Sequence, residues 1–203
     1  MPSSRPTTRE RIVDAADQLF YTRGYQHTSF SDVADAVGIS RGNFYHHFKS
    51  KDEILDAVIA LRLARTQHLL ESWETTNRHP LGNIRGFIRI VITNQAAIMR
   101  HGCPVGTLCG ELAKLEHPAL PRAGELFTLF RGWLGRQFAL LGHPADADAL
   151  ALHVLAFSQG VAVLAHSLGD ASFVQREVAR MCAWLDTVAL QTGAPPAASP
   201  HAP

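Results

Sequence analysis

Charge is scarce in this chain. Lys, Arg, Asp and Glu make up 18% of its 203 residues, below the roughly 25% of an ordinary globular chain. Too few charges are on hand to coat a monomer, so association is expected. Cysteine is scarce as well: Cys103, Cys109 and Cys182 are an odd set, which excludes a disulfide-built miniprotein, and Met1 to Thr8 lacks the apolar core of a signal peptide. The expected setting is a reducing cytoplasm. No stretch alternates apolar and polar residues long enough to make a sheet. The 46% hydrophobic share excludes disorder and suffices for the core of one or two small domains.

What is there has a helical period almost throughout. Ile12, Ala15, Ala16, Leu19 and Phe20 form the stripe of an amphipathic helix over residues 9–23, ended by Gly24. Phe30 to Val37 and Gly42 to Phe48 read as two short helices joined through Gly38 and Ile39, with Gly38 free to take the positive φ of a tight turn. Ser50 and Glu53 read as a capping box opening a long helix from about Lys51 to Arg78. His79-Pro80-Leu81-Gly82-Asn83 marks an internal boundary. Beyond it, Ile84, Phe87, Ile88, Val91, Gln95 and Ile98 predict one helix and residues 104–115 a shorter one. A third is striped by Leu126, Phe130, Trp133, Leu134 and Leu141. The proline-rich residues 194–203 read as a disordered tail.

Ala149 to Gly169 holds no Asp, Glu, Lys or Arg and is long enough to cross a bilayer. It contains His153, Ser158, Gln159 and His166, and it lacks flanking Lys or Arg, so a helix buried nearly all round is expected and no membrane partner. Val174, Val178, Met181, Leu185 and Val188 follow at spacings of 4, 3, 4 and 3, the seam of helices packed side by side. This seam either faces the chain's own core or pairs two copies. Because this helix and the one before it are both rich in apolar surface and the chain is short of charge, a two-fold homodimer interface built from the two is favoured.

The formal net charge of +1 hides an asymmetry, +2 over residues 1–51 and −1 over the remainder. Gly38 to Lys51 carries Arg41, Lys49 and Lys51 with no acid, a small positive patch. In the same stretch, Phe30, Val33, Ala34 and Val37 point inward from one helix and Phe44 and Phe48 from the next. That is the geometry of a helix-turn-helix whose second helix enters a DNA major groove. The free face of that second helix has the chemistry to read DNA. Arg41 can donate to guanine O6 and N7, Asn43 can pair with adenine or donate to phosphate, and Tyr45 and His46 offer polar tips. Gly42 permits close backbone approach. Thr28 or Ser29 caps the first helix of the motif with Asp32 three residues on, and its free N–H groups suit a phosphate, as does Lys51 at the next helix start. Arg5 and Arg9 could add contacts from the N-terminal arm.

Arg9–Ala16, Phe20-x-x-x-Gly24-Tyr25 and, above all, Gly38-Ile39-Ser40-Arg41-Gly42-Asn43-Phe44-Tyr45-His46-His47-Phe48-Lys49-Ser50-Lys51 strongly resemble the TetR family of bacterial transcriptional regulators. The resemblance is specific over about residues 9–55 and covers helical layout only beyond that. It implies an all-α fold with an N-terminal helix-turn-helix domain and a C-terminal helical domain that binds an effector and pairs through its last two helices. It also implies a DNA-facing set of Ser29, Arg41, Gly42, Asn43, Tyr45, His46 and Lys51.

Two further features bear on the C-terminal part. Pro104 fits a first helical position, placing Cys103 at a helix N-terminus where a thiolate is favoured, with His101 nearby. Cys103 is then either a cap or pocket-lining residue or an electrophile- or oxidant-sensing thiol. His101, Cys103, Cys109 and His117 match no paired zinc spacing, and no metal or cofactor is expected. Phe87, Gln95, Met99, Cys103, Phe130, Trp133, His153 and Phe157 are the candidate effector pocket, fitted to a small apolar or aromatic molecule.

The resulting expectation is an all-α, ligand-responsive repressor. Residues 1–50 bind an inverted-repeat operator, residues 51–193 bind effector and dimerise, and 194–203 form a tail. One alternative is a repressor released by modification of Cys103. Another is a helical binding protein or enzyme with an unused helix-turn-helix, disfavoured because no catalytic constellation is readable.

Overall fold

The computed structural model describes residues 6–76 and 79–191. Arg5 and the expected tail, 194–203, lie outside the described residues. Those described form only helices and their connections: α1 (Thr8–Arg23), α2 (Phe30–Val37), α3 (Arg41–His47), α4 (Lys51–Thr76), α5 (Pro80–Thr93), α6 (Gln95–His101), α7 (Pro104–Lys114), α8 (Leu120–Leu140), α9 (Ala147–Leu168) and α10 (Ala171–Leu190).

Local chemistry sets most boundaries. Thr7 caps α1 through a reciprocal pair with Glu10, and Ser29 caps α2 through the same pair with Asp32. Gly38 closes α2 in the left-handed region at φ 71°, where a side chain would be strained. At α4 the Ser50 hydroxyl accepts the Glu53 N–H at 3.1 Å. The Glu53 carboxylate accepts from the Lys49 N–H at 2.7 Å, one residue earlier than the capping box expected. The helix predicted as continuous through Ile98 is divided at Asn94, whose φ of −102° and ψ of 13° break the run into α5 and α6.

Two hydrophobic cores result. The first gathers Ile12, Phe20, Val33, Phe44 and Phe48 with Ile54, Leu55, Val58 and Ile59 of α4, and Leu108 and Leu112 of α7. The second gathers Leu70 of α4 with α5, α8, α9 and α10. Helix α4 therefore serves both, and α7 leans on the first from the C-terminal side.

Two expectations are corrected. Val174, Val178, Met181, Leu185 and Val188 are 0–7% exposed within the single chain and share the second core with Ile84, Ile88 and Val91 of α5. The seam faces the chain's own interior, because a 3.5 period identifies a buried stripe without saying which helix covers it. Helix α9, for its part, is not buried all round. Its Val163 is 62% and its Leu168 63% exposed, on a stripe with Leu152, Ala156, Gly160 and Leu164 that carries no charge. By length and composition α9 is the one helix among the described residues able to cross a membrane, although its other face is buried on α8 and the rest of the second core.

Where the cores meet, Arg62 of α4 is only 9% exposed. Its Nε donates to Asp17 Oδ1 of α1 at 2.6 Å and its Nη1 to the Pro104 carbonyl of α7 at 2.7 Å. Arg65 approaches the other Asp17 oxygen at 3.4 Å and Asp14 at 2.6 Å. Removing one partner of a buried ion pair strands a charge away from water, at a cost of about 3–5 kcal/mol. Asp17→Ala is accordingly expected to lower unfolding free energy by about 3 kcal/mol, read from urea melts at fixed protein concentration. A change below about 0.5 kcal/mol, the level of an exposed pair, would mean that water already screens Arg62.

Candidate nucleic-acid interface and cavity

Helix α3 is held by its inward side and open on the rest. Phe44 is buried between the rings of Phe30 and Phe48, with centroids 5.3 Å and 6.4 Å away. The Ser40 hydroxyl accepts the Asn43 N–H at 3.3 Å and so fixes the start of the helix. Arg41, Gly42, Asn43, Tyr45 and His46 are all exposed, with the Tyr45 ring tilted against Phe30 at 5.6 Å. Ser29 is exposed at the α2 cap, where its hydrogen bonds hold the Asp32 carboxyl below the usual range.

Two cations are more engaged than the sequence indicates. Lys51 lies 4.2 Å above the Tyr25 ring and donates to the Gln26 carbonyl at 3.2 Å, and burial pushes its amine down. Arg9 sits 4.7 Å over the Phe48 ring. Both brace the helix-turn-helix from behind by cation–π contact.

The loop from α1 to α2 carries a cluster that sequence reasoning missed. The Tyr25 hydroxyl donates to Asp52 Oδ1 at 2.6 Å, and His117 Nε2 lies 3.3 Å from that hydroxyl and 3.4 Å from the same carboxylate. Burial and the Asp52 carboxylate push the Tyr25 phenol up, while the Tyr25 hydroxyl holds the Asp52 carboxyl down. From α7, Glu111 accepts the Tyr25 and Gln26 backbone N–H groups, each at 2.8 Å. The Gly24-Tyr25 pair was visible as a helix end, but nothing local announces a carboxylate 86 residues away.

Between α5, α6, α7, α8 and α9 lies a cavity of about 220 Å³. Phe87, Cys103 and Phe130 of the expected pocket line it, with Phe127, Tyr21 and Gln159, and among the described residues no charged side chain borders it. Five expected residues lie elsewhere. Gln95 donates to the Ala171 carbonyl at 2.9 Å, and Met99 packs on the second core beside it. Trp133 is buried against Trp73, His153 is exposed and stacks on Trp184, and Phe157 packs on the second core. An aromatic stripe shows which helix face is inward without separating cavity wall from filled core.

Cys103 caps α7, as its place before Pro104 predicts. Its sulfur accepts from the Gly106 N–H and the Gln159 amide, each at 3.5 Å. Tyr21, on α1, closes one wall, and its hydroxyl donates to the Gly102 carbonyl at 2.9 Å.

Comparison with known proteins fits this geometry. Residues 12–58 match the family model of bacterial regulatory proteins of the tetR family. An HTH-type transcriptional regulator in the lacX 3' region of Lactococcus lactis subsp. lactis is 34% identical over 123 residues, 60% of this chain and 63% of that one. The HTH-type transcriptional regulator TtgR of Pseudomonas putida is 27% identical over 164 residues, 76% of this chain and 78% of its own. A TetR transcriptional regulator from Legionella pneumophila has the same fold, with a TM-score of 0.78 and 23% identity over 91% of this chain and 98% of that one. Residues 12–58 are thus similar to the tetR family, and the helical fold is shared with a solved TetR regulator. The matched segment runs from α1 into the front of α4 and includes every residue of the exposed α3 face, so the family's helix-turn-helix coincides with the first core.

The Asp52 carboxylate sets a pH dependence of stability. A carboxyl held down in the folded state stabilises above its unfolded pKa of about 3.9 and loses that contribution as pH falls through the folded value. Urea midpoints of wild type and Asp52→Asn are therefore expected to differ at pH 7 and to converge only as pH falls below the ordinary carboxylate range. A gap independent of pH would assign the effect to packing instead.

Proposed function

We propose that the chain is a homodimeric repressor that binds an inverted-repeat operator in the cytoplasm and is released by a small, uncharged apolar or aromatic effector. Residues 1–50 form the DNA-binding domain and 51–193 the effector-binding and dimerisation domain, with the front of α4 completing the first core. The observation that carries the DNA reading is the open face of α3, where Arg41, Asn43, Tyr45 and His46 are exposed on a helix anchored by Phe44. In this reading Arg41 reads a guanine edge and Asn43 an adenine or phosphate. Tyr45 and His46 contact the groove wall, Ser29 presents a helix start to phosphate, and Gly42 lets the backbone come close. Lys51 adds charge near that phosphate while bracing Tyr25.

Dimerisation is supported by the uncharged stripe of α9, Leu152, Ala156, Gly160, Val163, Leu164 and Leu168, whose small residues allow helices from two copies to approach closely. The cavity supports the effector reading. A dry 150 Å³ cavity holds benzene, so about 220 Å³ suits a molecule somewhat larger. With no charge in the wall, a carboxylate or ammonium would enter at a heavy desolvation cost.

The test is binding to the DNA upstream of the chain's own gene, with footprinting and a salt titration. The expected result is a protected inverted repeat whose affinity falls steeply with salt. Arg41→Ala is expected to cost about 1–3 kcal/mol of operator affinity by fluorescence anisotropy; unchanged affinity would remove Arg41 from base reading. Leu164→Arg is expected to yield a monomer in sedimentation and to lose high-affinity operator binding, whereas an intact dimer would move the interface off α9.

A further inference from the structure

Besides Tyr21 of α1, which closes one cavity wall, helix α7 joins the cavity to the loop before α2. Helix α7 begins at the cavity, where Cys103, Pro104 and Val105 form part of the wall, and reaches Glu111 about 12 Å further on, at 1.5 Å per residue. There the carboxylate holds the Tyr25 and Gln26 N–H groups at 2.8 Å each, immediately before the α2 cap. The fit is close: a Cβ at Gly24 would lie 3.1 Å from Glu111 Oε1, at a φ of 90° that a side chain rarely adopts. On the other side of the same loop, Lys51 holds the Gln26 carbonyl at 3.2 Å and Asp52 the Tyr25 hydroxyl at 2.6 Å. The segment that sets the start of α2 is thus gripped from α4 by side chains that never touch the cavity, and from α7 by one helix that does.

We propose that Glu111 is the positioning residue through which occupancy of the cavity reaches the DNA-binding helices. Displacement of the first turn of α7 moves Glu111 along the helix axis. Its two hydrogen bonds carry the loop, and with it α2 and α3, away from the α4 grip that aligns them. The proposal rests on reading the cavity as an effector site. It requires α7 to move as a rigid body over its length, as an uninterrupted helix from Pro104 to Lys114 can.

A ligand-free test uses Ala162→Phe, which places a ring in the cavity, measured against the operator by fluorescence anisotropy in wild-type, Glu111→Gln and Glu111→Ala backgrounds. Ala97→Phe, from another wall, repeats the measurement should Ala162→Phe fail to fold by circular dichroism. The expected result is that filling the cavity weakens operator binding at least fivefold in the wild-type background and less than twofold in Glu111→Ala. Glu111→Gln should fall between, since its amide keeps one acceptor. A merely structural role for Glu111 predicts additive losses, because two independent lesions add. Equal loss in all three backgrounds overturns the proposal while leaving the effector reading intact. No loss in the wild-type background from either filling variant overturns both.

Discussion

A guanidinium withdrawn from water must be satisfied on every side, and Arg62 imposes that requirement where three helices meet. Its fork needs an acceptor from α1 and another from α7, which Asp17 and the Pro104 carbonyl supply at 2.6 Å and 2.7 Å. Such a pair adds little net stability relative to an apolar packing of the same shape, because desolvation offsets most of the attraction. What it gives is geometry. An apolar contact would tolerate sliding of α1 against α4, whereas a charge-assisted hydrogen bond of fixed direction does not. The relation of the two cores, and so the placement of α3 relative to the cavity, follows from this one residue in the middle of a helix that both cores share.

The parts that were legible in the sequence are those whose cause lies within four residues. Ser29 and Asp32, Gly38, and the step from Cys103 to Pro104 each fix a helix end by local hydrogen bonding or a backbone preference, and each appears where it was expected. The inward pair Phe44 and Phe48 identifies the open side of α3 by elimination, because a short helix with one apolar face has only the other to offer. The TetR family motif coincides with this segment for the same reason: it is a compact set of local constraints.

Partnership between distant elements was not legible in that way. The apolar spacing of residues 84–98 runs without interruption although the backbone breaks at Asn94, because two helices facing one core can share a stripe. The regular seam on α10 looked like an interface and is buried on α5, while α9, read as buried nearly all round for want of charge, keeps an open face. The informative feature was the kind of residue on that face. Ala156 and Gly160 sit among Leu152, Val163 and Leu164, small residues among large apolar ones on one exposed face. In α8, Phe130 and Trp133 are one turn apart, yet only Phe130 borders the cavity; no periodicity distinguishes them, since the difference lies in what α5 and α9 place opposite.

The same geometry bounds how strongly an occupant of the cavity can act on DNA binding. A ligand shifts an equilibrium only by the difference in its interaction with the two states, and coupling between sites usually amounts to about 1–3 kcal/mol. The cavity wall carries no charge, so an occupant gains that difference through fit and not through ion pairing. On the protein side, Pro104 belongs both to the wall and to the Arg62 node. A hydrogen bond to a charged group contributes about 1.5–3 kcal/mol, so weakening the bond from Arg62 to Pro104 is an effect of the same order as that coupling. In the proposed coupling a small shift in the first turn of α7 is of the right order, and the Arg62–Asp17 pair, which lies outside the cavity wall, would hold α1 on α4 meanwhile.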